Sequence, residues 1–395
     1  MKKILMLGGA NSQIPAIKKA KELGYYVITC DYLPENPGHV FSDEYVNVST
    51  TDKDAILKVA KEKNVDGIIA YASDPSAPSA AYVVDELDLY GATGVSTCIL
   101  AEKDKFRMLQ KANGFNVPKF VVLSNEIDLD AQYNQIPIPC IVKPVDSSGS
   151  KGISKVYKQS GLKIAFEYAY EYSRAKRVIF EEIIDSPYCQ LHGEGFVYDN
   201  KLIFMELGDQ RFRNNVPIGS SCPSKVYIDN KVEIWNIVEA HLQAAGFSCG
   251  GLNIEVRIGE DGKIYVIEIG PRTGGNYVPQ LMEASTGFDE MTPVLQVAMG
   301  DYKGTPCIKY ETRNCFQYII GSEKTGIYKD VWISDEIRQD IEYLYLHKKA
   351  GDQVYEYENS SGVVGVAIIH FETYDKMEKI INNIRDYIKV IVEEE

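Results

Sequence analysis

The segment Cys249-Gly-Gly-Leu-Asn253-Ile-Glu255-Val-Arg257-Ile-Gly259-Glu260-Asp261-Gly262-Lys263-Ile-Tyr-Val-Ile-Glu268-Ile-Gly270-Pro-Arg272 reads as two strands about an Asp261-Gly262 turn. If those two residues form the loop, positions whose numbers add to 523 face each other, which sets Glu255 directly opposite Glu268. Directly opposed strand residues share a face with Cβ atoms about 5 Å apart, where two carboxylates repel unless a cation lies between them. A hard divalent ion with oxygen ligands, Mg²⁺ or Mn²⁺, resolves that conflict. Two incidental acids on a solvated hairpin are the plain alternative, but Ile254, Val256, Tyr265, Ile267 and Ile269 make both strands largely apolar and bury at least the opposite face. Beyond the second strand, Gly270 to Asn276 (Gly-Pro-Arg-Thr-Gly-Gly-Asn) brings a guanidinium and a flexible backbone to the same end. Arg272 is suited to hold a phosphate or carboxylate bidentately.

Upstream, Ile141-Val142-Lys143-Pro144-Val145-Asp146-Ser147-Ser148-Gly149-Ser150-Lys151-Gly152 is a strand ending in Lys, followed by a small-residue loop. Backbone amides and hydroxyls in such a loop can wrap polyphosphate. It lacks Walker spacing, and a flexible hairpin connection is the plain reading of it alone. Phe180-Glu181-Glu182-Ile183-Ile184 is an apolar strand interrupted by two acids, odd in a core but suited to an adenine slot. The first hundred residues alternate strand and helix: a strand at Ile4 to Leu7, a helix to Gly24, a strand at Tyr25 to Cys30, a helix from Asp52 to Lys63, and a strand at Val65 to Tyr71 before the polar loop Ala72-Ser73-Asp74-Pro75. Repeated β-α-β units mean a parallel sheet with ligands at its strand ends. From about Leu100 a charged helix carries Lys103, Asp104, Lys105 and Arg107. Strands at 138–143, 153–157 and 178–184 and a helix at Leu162 to Tyr172 follow, and then strands at 193–198 and 201–207 joined across Asp199-Asn200. The stretch from Gln210 to Lys225, rich in Asn, Ser, Gly and Pro, reads as a long lid-like loop. A helix at Val232 to Ala245 precedes the hairpin, and the chain closes on a small α+β region with a helix from Tyr374 to Val392.

A chain of 395 residues exceeds one hydrophobic core and points to two to four units with a cleft between them. The net charge of -14 argues against general nucleic-acid or anionic-membrane binding, so an anionic ligand needs a local basic pocket. No apolar run approaches the ~18 residues of a spanning helix. The opening run Ile4 to Leu7 is too short for a secretory segment and reads as a first strand. Eight scattered cysteines without a close pair suggest neither a zinc knuckle nor a disulfide frame, and fit a reducing cytoplasm. The five histidines are dispersed and read as structural; His192 and Glu194, on a strand just after the hinge, could approach a nucleotide, but a satisfied polar strand face is the plainer reading. Arg211 and Arg213, opening the long loop, suit either a substrate carboxylate or a solvated surface.

The ordered set of Asp104-Lys105, strand-Lys143 with its Ser/Gly loop, the Glu181 hinge, and Glu255 followed by Glu268-x-Gly270-Pro271-Arg272-x-Gly274-Gly275 resembles the ATP-grasp superfamily over nearly the whole chain. The resemblance implies an α/β and α+β architecture. A Rossmann-like domain (1–99) would precede two grasp subdomains (100–184 and 185–310, the latter with the metal hairpin) and a C-terminal α+β region (311–395). It implies that Lys105 and Lys143 bind ATP phosphates, that the loop with Ser147, Ser148 and Ser150 closes over them, and that Glu181, Glu182, Ile183 and Ile184 hold adenine. Glu255 and Glu268 would ligate Mg²⁺, with Mn²⁺ as a substitute. Arg272 would stabilise the transferring phosphoryl group, with Gly274, Gly275 and Asn276 contacting substrate. Two positions depart from the pattern: Gly270 stands where an Asn often ligates metal, leaving Asn253 as a substitute, and Gln190 is the nearest match to a ribose-binding acid. The implied activity joins a small-molecule carboxylate, activated as an acyl phosphate, to an amine in the cytoplasm, and leaves a homodimer open. The Gly274-Gly275 variant and the Ser-Thr-Gly at 285–287 look most like amino-acid or dipeptide ligases. Bicarbonate activation is the rival within the superfamily, and an inactive nucleotide-binding scaffold the rival outside catalysis. A Rossmann dehydrogenase is disfavoured because Gly8-Gly9-Ala10-Asn11 lacks Gly-x-Gly-x-x-Gly.

Overall fold

The computed structural model describes residues 1–149, 151–213, 216–304, 312–358 and 362–393, the side chains of 127, 128 and 130 excepted. Ser150 and Cys307 therefore lie outside the described residues, and the other seven cysteines are free. The first sheet is four-stranded and parallel, in the order Glu44–Asn47, Tyr26–Asp31, Lys3–Leu7, Gly67–Ile69. Helices on both faces bury its central strands, which is why Ile4, Leu5, Met6 and Leu7 form a continuous apolar run and not an alternating one. The strand expected over 65–71 shortens to Gly67–Ile69, because Ala72 turns into a left-handed conformation (φ 53°) and aims Ser73 and Asp74 beyond the strand end. The charged stretch splits into Gly94–Ala101 and Lys103–Ala112 at an extended Glu102.

A second sheet is antiparallel, in the order Phe120–Leu123, Val178–Glu182, Cys140–Pro144, Ser154–Val156, with Leu162–Tyr172 packed on it through Phe166 and Ala169 against Val142 and Phe180. The third runs through eight strands: Ile264–Gly270, Gly250–Ile258, Leu191–Tyr198, Lys201–Arg213, Val216–Cys222, Asn314–Gly321, Val363–Phe371 and Ile341–Leu346. The helix Lys225–Ala245, capped by Ser224 and ended by a left-handed Gly246, lays Ile234, Val238 and Leu242 on one of its faces. A separate three-stranded sheet, Gln353–Val354, Gly326–Ile333 and Ile388–Glu393, completes the C-terminal region.

Two expectations are corrected. The lid-like loop from Gln210 to Lys225 is mostly strand: Lys201–Arg213 continues past Gln210, and Val216–Cys222 is paired on both sides. Its small polar residues reflect crowding, since Ser220 and Ser221 are buried and a Cβ on Gly219 would lie 1.8 Å from the Gln317 carbonyl oxygen. The expected final helix breaks at Asn383 into Tyr374–Asn382 and a single helical turn, Ile384–Tyr387, and Ile388–Glu393 is a strand whose burial alternates; the helical period gives way to a period of two within one apolar stretch. The hydrogen-bonded ladder of the large sheet also crosses the 310/311 division, because Asn314–Gly321 pairs directly with Val216–Cys222.

Candidate functional site

Glu255 and Glu268 do face each other across neighbouring strands, by a different route from the expected one. The turn holds three residues, 260–262, closed by Gly259 N to Lys263 O (2.9 Å) with Gly262 left-handed at φ 73°. The ladder beside it is consequently out of the expected step, pairing Arg257 with Tyr265 and Ile258 with Ile264. An irregularity between Glu255 and Val256 leaves Ile267 as an extra residue and restores the step, so Glu255 meets Glu268 and Asn253 meets Gly270.

Burial, and then the facing Glu268, push the Glu255 carboxyl up to about 7, against the pull of Lys143, Lys103 and Arg272. Gln190 Nε2 donates to Glu255 Oε2 at 2.8 Å, and Lys103 Nζ lies 3.3 Å from Glu268. Lys103 also donates to the Ser147 carbonyl (3.2 Å), tying the hairpin of Glu255 and Glu268 to the root of the Ser/Gly loop. Asp146 fixes that root by accepting from Ser173 Oγ (3.0 Å) and the Ala175 amide (2.8 Å). Burial would lower Lys103, but Glu268 and Asp74 outweigh it and hold the ammonium charged. Among the described residues, no group of three or more His, Cys, Asp or Glu side chains is arranged to hold an ion. Glu255 and Glu268 nonetheless suit a magnesium ion, which takes one or two protein carboxylates and completes its shell with phosphate and water oxygens.

A cavity of about 810 Å³ opens on the Glu268 side, between the grasp and the N-terminal sheet. Asp74, Lys103, Lys105, Ser147, Glu268 and Gly270 are among its lining residues. Lys105 reaches it from an exposed position while pairing with Glu102 at 2.6 Å, whereas Lys103, not singled out in the sequence, occupies the buried place beside Glu268. Arg272 is buried and does not itself line the cavity; it donates through Nε to Asp74 (2.6 Å), which does, and through Nη1 to the Thr273 carbonyl (2.8 Å).

The hinge reads differently from expectation at one position. Glu181 is buried between Lys143 (Nζ 2.6 Å from Oε2) and Arg107 (Nε 2.9 Å from Oε1, too poorly aligned for a hydrogen bond), and is thus an internal counter-ion. Burial alone would raise its carboxyl, yet Arg107 and Lys143 hold it at about 2. Burial draws the Lys143 amine below the usual lysine range, with Glu181 opposing. Arg107 also donates to the Ile267 carbonyl (2.8 Å), so this cluster grips the hairpin of Glu255 and Glu268 from behind. Glu182 accepts from Lys119 at the sheet edge, Ile183 and Ile184 are half-buried, and the Ile184 carbonyl takes Arg257 Nη1 at 3.0 Å. Gln190, expected near ribose, is bound to Glu255 and Gln210 instead.

Past Arg272, the Gly274 amide donates to both oxygens of Glu194 (3.0 and 2.8 Å), and Asn253 Nδ2 adds a third bond at 2.9 Å. Burial pushes the Glu194 carboxyl up to about 8. A Cβ on Gly274 would meet Glu194 Oε1 at 2.2 Å, while Gly275 faces open space. Asn276 and Tyr277 are both left-handed (φ 51° and 63°); the Asn276 carbonyl accepts from Gln317 Nε2 at 2.7 Å, and the Tyr277 ring stacks on Tyr345.

Comparison with known proteins agrees with this geometry. Residues 136–280 match the family model described as the ATP-grasp domain. A formate-dependent phosphoribosylglycinamide formyltransferase of Prochlorococcus marinus is 32% identical over 188 residues, 47% of this chain and 48% of the relative. The chain thus matches about half the length of such curated relatives. Among solved structures, an L-amino acid ligase from Bacillus licheniformis superposes with a TM-score of 0.83 at 21% identity, covering 100% of this chain and 99% of the other. A phosphoribosylglycinamide synthetase from Anaerococcus prevotii gives 0.78 at 24% identity, covering 99% and 100%. At these identities the superpositions establish the fold.

Proposed function

We propose that this chain, which carries an ATP-grasp domain, is an ADP-forming ligase that phosphorylates a small-molecule carboxylate with ATP and couples the resulting acyl phosphate to an amine. The observation that carries the reading is the opposition of Glu255 and Glu268 at the edge of a cavity of about 810 Å³ that also holds Lys103, Lys105 and Ser147. A carboxylate is a poor electrophile because oxide is a prohibitive leaving group, and phosphorylation replaces it with a good one. No protein nucleophile is required.

In this reading Glu255 and Glu268 hold Mg²⁺, or Mn²⁺ in its place, which when bound neutralises ATP phosphate charge. Lys143, Lys103 and Lys105 supply the remaining positive charge, and Ser147, Ser148 and Ser150 with their loop cover the phosphates and exclude water from the acyl phosphate. Glu182, Ile183 and Ile184 flank adenine, Glu181 keeps Lys143 charged behind it, and Gln190 orients Glu255. Arg272, fixed by Asp74, faces the charge that develops as the phosphoryl group moves, with Gly274, Gly275 and Asn276 forming the substrate wall. The divisions 1–99, 100–184 and 185–310 describe the functional parts, with 311–395 joined to the third of them through the large sheet.

No helix among the described residues is long and apolar enough to cross a membrane. The proposal places the chain in the cytoplasm and admits a homodimer. ADP release, measured against paired pools of carboxylates and amines with bicarbonate as a separate arm, tests it. Amine-dependent turnover is expected; turnover with bicarbonate in place of the carboxylate would replace the class of acid that is phosphorylated, and absence of MgATP binding by calorimetry would overturn the whole reading.

A further inference from the structure

A second cavity, of about 260 Å³, lies in the C-terminal region between the strands Asn314–Gly321 and Ile388–Glu393, with Tyr318, Glu323, Lys324, Arg385 and Lys389 in its lining. It shares no lining residue with the cavity beside Glu268. Three observations mark it as a polar site and not a packing gap. Arg385 Nε is buried without a hydrogen-bond partner, and so is Nη1 of Arg213 at the end of the strand Lys201–Arg213. Arg213 and Arg385 both act electrostatically on the phenol of Tyr318, which is 3% exposed. The acid lining this cavity, Glu323, pairs with Arg385 Nη1 from a largely exposed side chain, and so can swing into solvent at little cost. A buried guanidinium N–H left without an acceptor is expensive, and Arg385, whose side chain is 34% exposed overall, carries one at the wall of this cavity in a chain whose net charge is -14.

We propose that this cavity is a second, non-catalytic site for a small phosphoryl-bearing anion, with Arg385 and the Tyr318 hydroxyl as donors, Arg213 adding positive charge near Tyr318, and Glu323 as the internal acid it displaces. Planar guanidinium forks match phosphate oxygens bidentately, and Lys389 at the rim adds charge without geometric demand. The volume fits inorganic phosphate, pyrophosphate or a short phosphate ester and is below the usual range for a whole nucleotide. Position gives the site a route to the catalytic loop. Tyr318 follows Gln317 in one strand, and successive strand residues face opposite ways; Gln317 holds the Asn276 carbonyl on one face while Tyr318 meets the cavity on the other. The site therefore sits behind the strand that clamps the end of the Gly274-Gly275 loop.

The test uses the full chain with the catalytic site saturated by MgADP, and titrates inorganic phosphate, pyrophosphate and malonate by calorimetry. Wild type should bind pyrophosphate and phosphate but not malonate. Glu323→Gln, an exposed substitution with little folding risk, should bind pyrophosphate tighter. Arg385→Gln should weaken it about tenfold, the scale of one lost charge-assisted contact, with Tyr318→Phe as a milder second variant. Equal affinity in wild type, Glu323→Gln and Arg385→Gln would overturn the site, and malonate matching pyrophosphate would overturn its phosphoryl character. Both results are independent of whether the ligase reading stands, because MgADP occupancy is established separately.

Discussion

Replacing Glu181 by Gln tests whether this residue is a nucleotide contact or an internal counter-ion. The change keeps the shape of the side chain and removes its charge, leaving Arg107 and Lys143, with side chains 0% and 8% exposed, without their shared partner. Removing one partner of a buried ion pair costs about 3–5 kcal/mol, because the remaining charge stays desolvated. An independent route gives a similar value: a carboxyl held at about 2 instead of 4.5 corresponds to about 3 kcal/mol of stability. At roughly 2–4 °C per kcal/mol for a cooperative unit of 150–250 residues, the melting temperature at pH 7 should fall by about 6–20 °C. Because the folded-state value is depressed, the contribution is complete above pH 4.5 and is lost as the pH falls toward 2. The gap between wild type and variant should accordingly be constant from pH 5 to 8 and narrow in acid. The assay is thermal unfolding across that range, with ATP affinity measured by calorimetry on the folded variant. A variant that melts within about 1 °C of wild type yet binds ATP poorly would refute the counter-ion assignment and return Glu181 to the adenine slot.

Glu268→Gln should lower turnover at least about 100-fold while melting in EDTA at or slightly above the wild-type temperature, since the repulsion from Glu255 is relieved; full activity would move the metal site elsewhere. Lys103→Ala should reduce turnover and also lower the melting temperature, because Glu268 and Asp74 lose the buried ammonium beside them; an unchanged rate would leave Lys105 and Lys143 as the phosphate lysines. Gly274→Ala forces a Cβ to within 2.2 Å of Glu194 Oε1, so both the melting temperature and the rate should drop; a silent variant would mean the Glu194 clamp is dispensable. Burial holds His241 at about 4 against an ordinary 6.5, so its neutral form stabilises fully above pH 6.5 and the contribution is lost as pH falls toward 4. His241→Gln should flatten that part of the stability profile, and an unaltered slope would assign it to other groups.

Legibility in the sequence followed the range of the interaction. Local periodicity located Ile14–Glu22, Leu162–Tyr172 and the paired strands around Asp199 and Asn200, both of which are left-handed as a tight hairpin turn requires. The facing of Glu255 and Glu268 was legible because the bulge at Ile267 cancels the extra loop residue, and neither feature alone has a sequence signal. Lys103 was obscured by Lys105 on the same charged helix: which lysine turns inward depends on where Glu268 and the Ser147 carbonyl lie, more than forty positions away. The spacing of Lys103 and Arg107, one helical turn apart, was the available signal. Gln210 to Lys225 misled because small polar residues mark both exposed loops and strands squeezed between two neighbours, and only the pairing partner Asn314–Gly321 distinguishes them.

That pairing also sets the order of events during synthesis. Val216–Cys222 needs Asn314–Gly321 to cover its outer edge, and Asn314–Gly321 needs Val363–Phe371. At about 5–20 residues per second, roughly 150 residues and some 7–30 s separate the ribosomal exit of the first strand from that of the last. Through that interval the nascent chain exposes an unpaired strand edge, a template for pairing with another chain. Gly219, too close to the Gln317 carbonyl to carry a side chain in the finished sheet, also weakens that edge as a template while it waits. Chaperone dependence in the cell should therefore track the length of chain between Cys222 and Asn314.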